Sequence, residues 1–140
     1  MGSRMTLLRS EDETLAFAKS FADQLSKGSM LLLEGEMGVG KTCFVRGLCE
    51  GLGGDPRQVS SPTFAIMQEY SIGNNCRLIH IDAYRLSGVE ELETIGWDEL
   101  LGDTQAIIAI EWPSKIKKAI PDSAISLQIE HVDIHTRIIN

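Results

Sequence analysis

The sequence predicts a three-layer α/β domain with a mainly parallel central sheet and antiparallel strands at its edges. Residues 30–33 are wholly apolar and precede a glycine-rich loop and a helical pattern, the order expected of a strand buried in a parallel sheet. Residues 106–110 form a second continuous apolar run. Residues 64–71 and 76–82 flank a turn at 72–75, which indicates a hairpin. The mixture of βα units and hairpins defines the fold class.

The first half of the chain has clear helix boundaries. Ser10 and Glu13 have the spacing of a capping box at the start of a helix over residues 10–25, and apolar residues recur behind them at helical intervals. The helix after the glycine-rich loop spans residues 41–52 and ends at a Gly-Gly pair. A polar loop at 60–63 leads from this helix into the hairpin.

Shorter elements are predicted in the second half of the chain. They are an acidic helix at 88–96, its continuation or restart at 97–101, a strand at 106–110 that ends at Glu111, and a short helix at 115–120 stopped by Pro121. Residues 124–131 and 133–139 alternate in polarity, so we expect them to form an antiparallel pair at the sheet edge.

Length and composition indicate one domain over residues 1–140, with residues 1–4 as a cloning remnant. Apolar residues make up 43% of the chain, and no apolar run is long enough to cross a bilayer. The net charge of −7 and the lack of a basic face argue against nucleic-acid binding by this chain alone. Three cysteines without a CxxC pair favour a reducing, cytoplasmic location.

Residues 35–42 match the pattern G-x-x-x-x-G-K-T, a phosphate-binding P-loop between a strand and a helix. The fold prediction is therefore a P-loop NTPase-like domain. Backbone N–H groups of such a loop cradle phosphates, Lys41 can reach the β- and γ-phosphates, and the Thr42 hydroxyl can bind Mg²⁺. The predicted nucleotide-binding residues here are Glu36, Met37, Gly38, Val39, Gly40, Lys41, Thr42 and Cys43. For Cys43 the favoured interpretation is a small buried apolar residue.

Two carboxylates stand at predicted strand ends, where ligands bind in open α/β sheets. Asp82 follows an apolar strand and is predicted to hold Mg²⁺ opposite Thr42, with a capping role as the alternative. Glu111 ends the strand at 106–110 and is predicted to orient or deprotonate an attacking water. It could instead be a metal ligand or a solvated residue at a strand terminus.

Several neighbouring residues are further candidates. Thr63 lies where nucleotide switches place a hydroxyl that senses the γ-phosphate, and Arg85 could stabilise a transferring phosphate or pair with nearby acids. Trp112 is interpreted as a packing residue or as a partner or nucleotide contact. His80 is interpreted as a core histidine. The alternating residues His131, Asp133 and His135 could form a metal site but lack further ligands.

Two motifs are missing from the sequence. No Asn-Lys-x-Asp occurs and no Asp-x-x-Gly follows Asp82, so guanine specificity has no support. A P-loop kinase of small molecules would also need an arginine-bearing lid and an acceptor site, for which little chain is left. ATP hydrolysis is thus the favoured chemistry, with a small-molecule phosphotransferase and a nucleotide-dependent binding module as alternatives.

Four blocks of the sequence together resemble the TsaE (YjeE-type) family over residues 8–139. They are the P-loop at 35–42, Ser-Pro-Thr-Phe at 61–64, His-Ile-Asp-Ala-Tyr-Arg-Leu at 80–86 and Glu-Trp-Pro at 111–113. The resemblance implies a small bacterial ATPase that uses Mg²⁺ and supports threonylcarbamoylation of adenosine 37 in tRNAs reading ANN codons. It also implies that the chain acts with TsaD and TsaB subunits and resets that complex by hydrolysing ATP to ADP.

The resemblance assigns roles to individual residues. It implies that Lys41 and Thr42 bind phosphate and Mg²⁺, that Asp82 is the metal-binding acid, and that Glu111 is a metal-linked or catalytic carboxylate. Thr63 falls in the switch-like loop, and Trp112 is a functionally sensitive neighbour. Adenine contacts are implied for Glu11, Thr14 and Arg137.

Overall fold

A seven-stranded sheet forms the centre of the molecule. The computed structural model describes residues 5–35, 40–59, 66–86, 88–133 and 136–139. The strands are Thr6–Leu8 (β1), Met30–Glu34 (β2), Met67–Ser71 (β3), Arg77–Asp82 (β4), Ala106–Glu111 (β5), Ile125–His131 (β6) and Arg137–Ile139 (β7). The α-helices are Glu11–Phe21 (α1), Lys41–Gly51 (α2) and Trp97–Leu101 (α3). Short 3₁₀ segments cover Ala22–Gln24, Pro56–Gln58, Ala83–Arg85, Val89–Ile95 and Pro113–Ala119.

The strand order is β1-β7-β6-β2-β5-β4-β3. The four central strands β6, β2, β5 and β4 are parallel, whereas β3, β7 and β1 pair antiparallel with their neighbours. This arrangement confirms the predicted α/β class with a parallel centre and antiparallel edges. The carboxyl ends of the parallel strands meet at one edge of the sheet, which is where ligands bind in such folds.

The C-terminal strand pair differs from its predicted place. It was expected at the sheet edge, but β6 pairs in parallel with the central strand β2, and β1 covers β7 on the outside. Strand β1 was not predicted because three residues are too few for a period-two pattern to stand out. Pairing with a partner more than a hundred residues away defines this strand.

Helix α1 begins as the sequence predicts. The Ser10 side chain accepts a hydrogen bond from the backbone N–H of Glu13 at 3.1 Å. The helix packs against α2, where glycines allow a close approach. A Cβ added at Gly47 would lie 2.6 Å from the carbonyl oxygen of Leu15 and 2.8 Å from the Cβ of Ala18. Helices α1 and α2 therefore lie closer together than they could if position 47 carried a residue larger than glycine.

Two apolar cores lie on opposite faces of the sheet. One packs α1 and α2 on the sheet and includes Phe21 and Phe44, whose ring centroids are 6.1 Å apart. The other holds α3 and the 3₁₀ segments and includes Trp97 and Ile116. The domain thus has the predicted three layers. None of the helices within the described ranges is long and apolar enough to span a membrane.

Side-chain alternation decides which residues face α2. Ala109 belongs to the core under α1 and α2, and it is the register partner of His80. Asp82 and Glu111 are also register partners, two positions further along the same strands. Because alternate strand residues share a face, His80, Asp82 and Glu111 all lie on the side of the sheet that α2 covers.

Candidate functional site

Helix α2 starts at the edge where the parallel strands end. Gly40 precedes it with a φ of 99°, a left-handed conformation that favours glycine. A Cβ at this position would also lie 3.1 Å from the Nε of Arg137. The N–H groups of a helix start that lack helical partners, together with the positive end of the helix dipole, attract anions. Gly40 is thus required for the turn from the loop into α2, and this turn places the start of the helix at the site.

Lys41 is buried at the first position of α2, with 5% of its surface exposed. Its Nζ donates a hydrogen bond to the carbonyl oxygen of Gly35 at 2.6 Å. Burial lowers the pKa of Lys41, and the carboxylates of Glu111, Asp82 and Glu34 partly oppose that shift. The structure therefore brings the predicted phosphate-binding lysine together with both predicted strand-end acids.

Trp112 sits directly after β5 in a left-handed conformation, with φ 58° and ψ 49°. Such angles are uncommon outside glycine and cluster at functional sites. Its backbone N–H donates to the Leu33 carbonyl at 3.3 Å, and its ring lies 5.0 Å from that of Tyr84. The Nζ of Lys41 lies 3.9 Å from the centroid of the Trp112 ring. The turn after β5 thus places this ring directly against the lysine.

Asp82 ends β4 and is half-buried. Its Oδ1 accepts a hydrogen bond from the backbone N–H of Tyr84 at 3.1 Å and caps the 3₁₀ segment that follows. The predicted alternative of a capping role is therefore present. A carboxylate has lone pairs beyond the one that the cap uses, so the metal-binding role remains a prediction beside it.

Glu111 is buried, with 6% of its surface exposed. This burial is inconsistent with the alternative of a solvated residue at a strand terminus. Its Oε2 lies 2.5 Å from the Nε2 of His80, which is itself 1% exposed. The Nδ1 of His80 lies 3.3 Å from the Tyr70 hydroxyl, which is in turn hydrogen-bonded to Gln68. A buried polar chain therefore connects Glu111 to the edge strand β3.

The sequence reasoning missed this connection. His80 was interpreted as a core histidine, and the structure shows that it is buried but bonded to a predicted site residue. A signal was available, because His80 precedes Asp82 by two positions on one strand and so faces the same side. Burial also raises the pKa of Tyr70 to about 12, which keeps its hydroxyl neutral and able to donate.

The residues with implied adenine contacts lie around the start of α1 and on β7. The Thr14 hydroxyl is fully buried and donates to the carbonyl oxygen of Ser10 at 3.2 Å, whereas Glu11 is exposed. Arg137 is buried, and its Nε has no hydrogen-bond partner among the described residues. Cys43 is buried and its thiol contacts the Glu11 carbonyl at 3.7 Å. These assignments remain predictions.

Several predicted site residues lie outside the described residues. They are Glu36, Met37, Gly38, Val39, Thr63 and His135, together with the side chain of Arg85. His131 is exposed at the end of β6. Across the described ranges, no three or more His, Cys, Asp and Glu side chains cluster as a metal site. The proposed histidine site therefore gains no support there.

Thr42, Asp82 and Glu111 offer oxygen donors only, the ligands that Mg²⁺ prefers. Magnesium in nucleotide sites takes one or two protein groups and completes its shell with phosphate and water oxygens. A large protein ligand cluster is therefore unnecessary, and the chemistry of this donor set fits Mg²⁺. Thr42 lies in the first turn of α2 beside the buried Lys41.

The parallel strand ends, the glycine-started helix and the adjacent lysine and acids define a P-loop-type α/β domain. The chain belongs to the TsaE family: the family model described as threonylcarbamoyl adenosine biosynthesis protein TsaE matches residues 8–139. The chain is 36% identical over 140 residues to a protein of Rickettsia bellii named tRNA threonylcarbamoyladenosine biosynthesis protein TsaE, covering 100% of this chain and 95% of the relative.

Further relatives carry the same name. One from Borreliella burgdorferi is 41% identical over 125 residues, with 89% of each chain covered. One from Bacillus subtilis is 40% identical over 119 residues, covering 85% of this chain and 72% of the relative. Among solved structures, the crystal structure of Bacillus subtilis YdiB superposes with a TM-score of 0.73 at 29% identity, covering 97% of this chain and 82% of YdiB. The full domain is thus shared with these proteins.

Proposed function

We propose that this chain is the Mg²⁺-dependent, ATP-hydrolysing subunit of the machinery that threonylcarbamoylates adenosine 37 in tRNAs reading ANN codons. The observation that supports hydrolysis most directly is that Lys41, Asp82 and Glu111 lie close together at one edge of the sheet. Membership of the TsaE family, whose relatives are named for threonylcarbamoyladenosine biosynthesis, supports the pathway.

Each residue has a defined part in the proposed reaction. The start of α2 and the Lys41 ammonium bind the phosphates of ATP, and Thr42 and Asp82 would hold Mg²⁺. Bound Mg²⁺ supplies positive charge that offsets the charge developing on the phosphate oxygens. Glu111 orients the attacking water and accepts its proton as the bond between the β–γ bridging oxygen and the γ-phosphorus breaks, which yields ADP and phosphate.

The proposed partners are the TsaD and TsaB subunits, which carry the transfer chemistry. Hydrolysis by this chain resets their complex between cycles, in the cytoplasm. The net charge of −7 supports an assignment in which the partners, and not this chain, contact tRNA. Slow turnover alone and faster turnover with the partners follow from this role.

Phosphate release from ATP tests the hydrolytic assignment. We expect Glu111→Gln and Asp82→Ala to lower turnover by about 100-fold, the scale of a positioned catalytic group. Asp23→Asn, which alters an exposed carboxylate outside the site, is the matched control and should turn over like the wild type. Phosphate transfer from labelled ATP to a small acceptor would instead establish a kinase.

A nucleotide-dependent binding module predicts a different result. It would bind TsaB and TsaD only with ATP present, while both acid variants kept the wild-type rate of hydrolysis. That combination would overturn the ATPase proposal.

A further inference from the structure

We propose that His80 is a positioning residue that fixes the Glu111 carboxylate for catalysis, with Tyr70 in turn fixing the His80 ring. This inference rests on the proposed function, because it concerns the same hydrolytic site. It adds two residues, both remote from the P-loop in sequence, to the group that determines the rate of hydrolysis.

The burial of the pair is the first argument. His80 and Glu111 are 1% and 6% exposed, and the Nε2 and Oε2 atoms lie 2.5 Å apart, within hydrogen-bond distance. The register partner of His80 on β5 is the small residue Ala109. The imidazole therefore has room to lean along the sheet toward Glu111, two residues further along β5.

The hydrogen bonds that connect Tyr70, His80 and Glu111 place a proton on the Nε2 of His80. A carboxylate only accepts, so the Nε2 of His80 must carry the proton that lies between it and Glu111. The Tyr70 hydroxyl donates to the Oε1 of Gln68, and its oxygen lies 3.3 Å from the Nδ1 of His80. This contact at Nδ1 holds the ring with its Nε2 directed at Glu111.

A fixed carboxylate matters more for turnover than for nucleotide binding. With Oε2 held by His80, the second oxygen of Glu111 keeps one direction relative to the attacking water. Without that bond, the carboxylate can rotate within its pocket, and its second oxygen no longer keeps one direction relative to the attacking water. Phosphate binding depends instead on Lys41 and the start of α2, which His80 does not contact through any hydrogen bond among the described residues.

The first test separates kcat from nucleotide affinity. We expect His80→Leu to lower kcat by about 10- to 100-fold, the usual effect of removing a partner that orients a catalytic ligand, with the Kd for ADP within about twofold of the wild type. His80→Gln should recover most of the loss, because its amide N–H can occupy the place of Nε2–H. Tyr70→Phe, which keeps that donor, should cost only a few-fold.

Trp97→Phe is the control for burial. Trp97 is a large buried residue of the opposite core, and its indole Nε1 has no hydrogen-bond partner among the described residues, so the substitution should leave kcat unchanged. Equal losses of kcat in Trp97→Phe and His80→Leu would mean that general loosening of the domain explains both, and would overturn the inference.

The second test asks whether His80 acts through Glu111. In a Glu111→Gln background, adding His80→Leu should cause no further loss of kcat. If Glu111→Gln is impaired and His80→Leu turns over like the wild type, the inference is wrong and the proposed function stands. If Glu111→Gln turns over normally, the role of Glu111 in the proposed function fails, and the inference fails with it.

An NMR measurement on the wild-type protein is independent of turnover and does not require any variant to fold. In ¹⁵N-labelled wild-type protein, the ring N–H of His80 should give an exchange-protected NMR resonance. His80→Gln should remove this resonance and Glu111→Gln should shift it. Absence of any protected histidine ring proton would overturn the inference.

Discussion

The ammonium group of Lys41 lies 3.9 Å from the centre of the Trp112 ring, on the face where a cation is attracted by the aromatic quadrupole. The two residues come from different elements, since Lys41 begins α2 and Trp112 follows β5 in a left-handed conformation. Their contact joins helix α2 to the strand that carries Glu111.

Trp112 should report nucleotide binding by fluorescence. Phosphates that draw the Lys41 ammonium away from the ring change the charge beside the indole and hence its emission. The chain has two tryptophans, so Trp97→Phe leaves Trp112 as the only tryptophan whose emission is recorded. We expect ADP to change the emission of Trp97→Phe, whereas Trp112→Phe, which retains only the remote Trp97, should show no change. The opposite pattern would contradict the contact.

Nucleotide affinity should weaken in alkaline solution. Burial lowers the pKa of Lys41 below its ordinary value of 10.5, and only the protonated amine attracts phosphate strongly. The Kd for ADP is therefore expected to rise as pH passes through the lowered pKa, before 10.5 is reached. Calorimetric titrations across this range test the point. Lys41→Arg is the control, because a guanidinium stays charged there and its Kd should be flat.

Much of the architecture followed from local sequence patterns. The Ser10 cap, the two main helices and the apolar central strands were all predictable, because capping chemistry and buried parallel strands leave strong local signals. Strand β1 and the central place of β6 were not, since both depend on pairing with distant segments. Local patterns do not contain that information.

The candidate site was likewise predictable only where local sequence patterns mark its residues. Lys41, Asp82 and Glu111 were recognisable from a motif and from strand ends. The bond from His80 to Glu111 joins residues 31 positions apart on neighbouring strands, and it becomes visible only when the register is known. The left-handed backbone of Trp112 is equally a property of the folded turn, with no signature in its residue type.

Gly47→Ala should destabilise the fold. The added methyl group would lie 2.6 Å from the Leu15 carbonyl oxygen, so α1 and α2 must separate. We expect a loss of about 1–3 kcal/mol in the free energy of unfolding, typical of overpacking, measured by urea denaturation. Gly102→Ala is the matched control, because a Cβ there has only ordinary contacts at 3.7 Å, and it should change stability by less than about 0.5 kcal/mol. Equal effects would refute the close helix contact.

Tyr70 should make stability fall at high pH. Its folded pKa is raised to about 12 from 10.0, so above the unfolded pKa the unfolded chain loses this proton while the folded protein keeps it. The resulting stability is fully present below 10.0 and is lost as pH rises toward about 12. At about pH 11 the loss is on the order of 1 kcal/mol. Tyr70→Phe should decline less steeply over this range, whereas parallel curves would contradict the assignment.

In the proposed function, this chain hydrolyses ATP for the TsaB–TsaD complex. The most direct test of this function is the rate of phosphate release from ATP by this chain, measured alone and with the TsaB–TsaD pair and tRNA. We expect slow release alone, a clear increase with the partners, and loss of that increase in Glu111→Gln. Release that is the same with and without the partners, or that Glu111→Gln leaves intact, would contradict the proposed function.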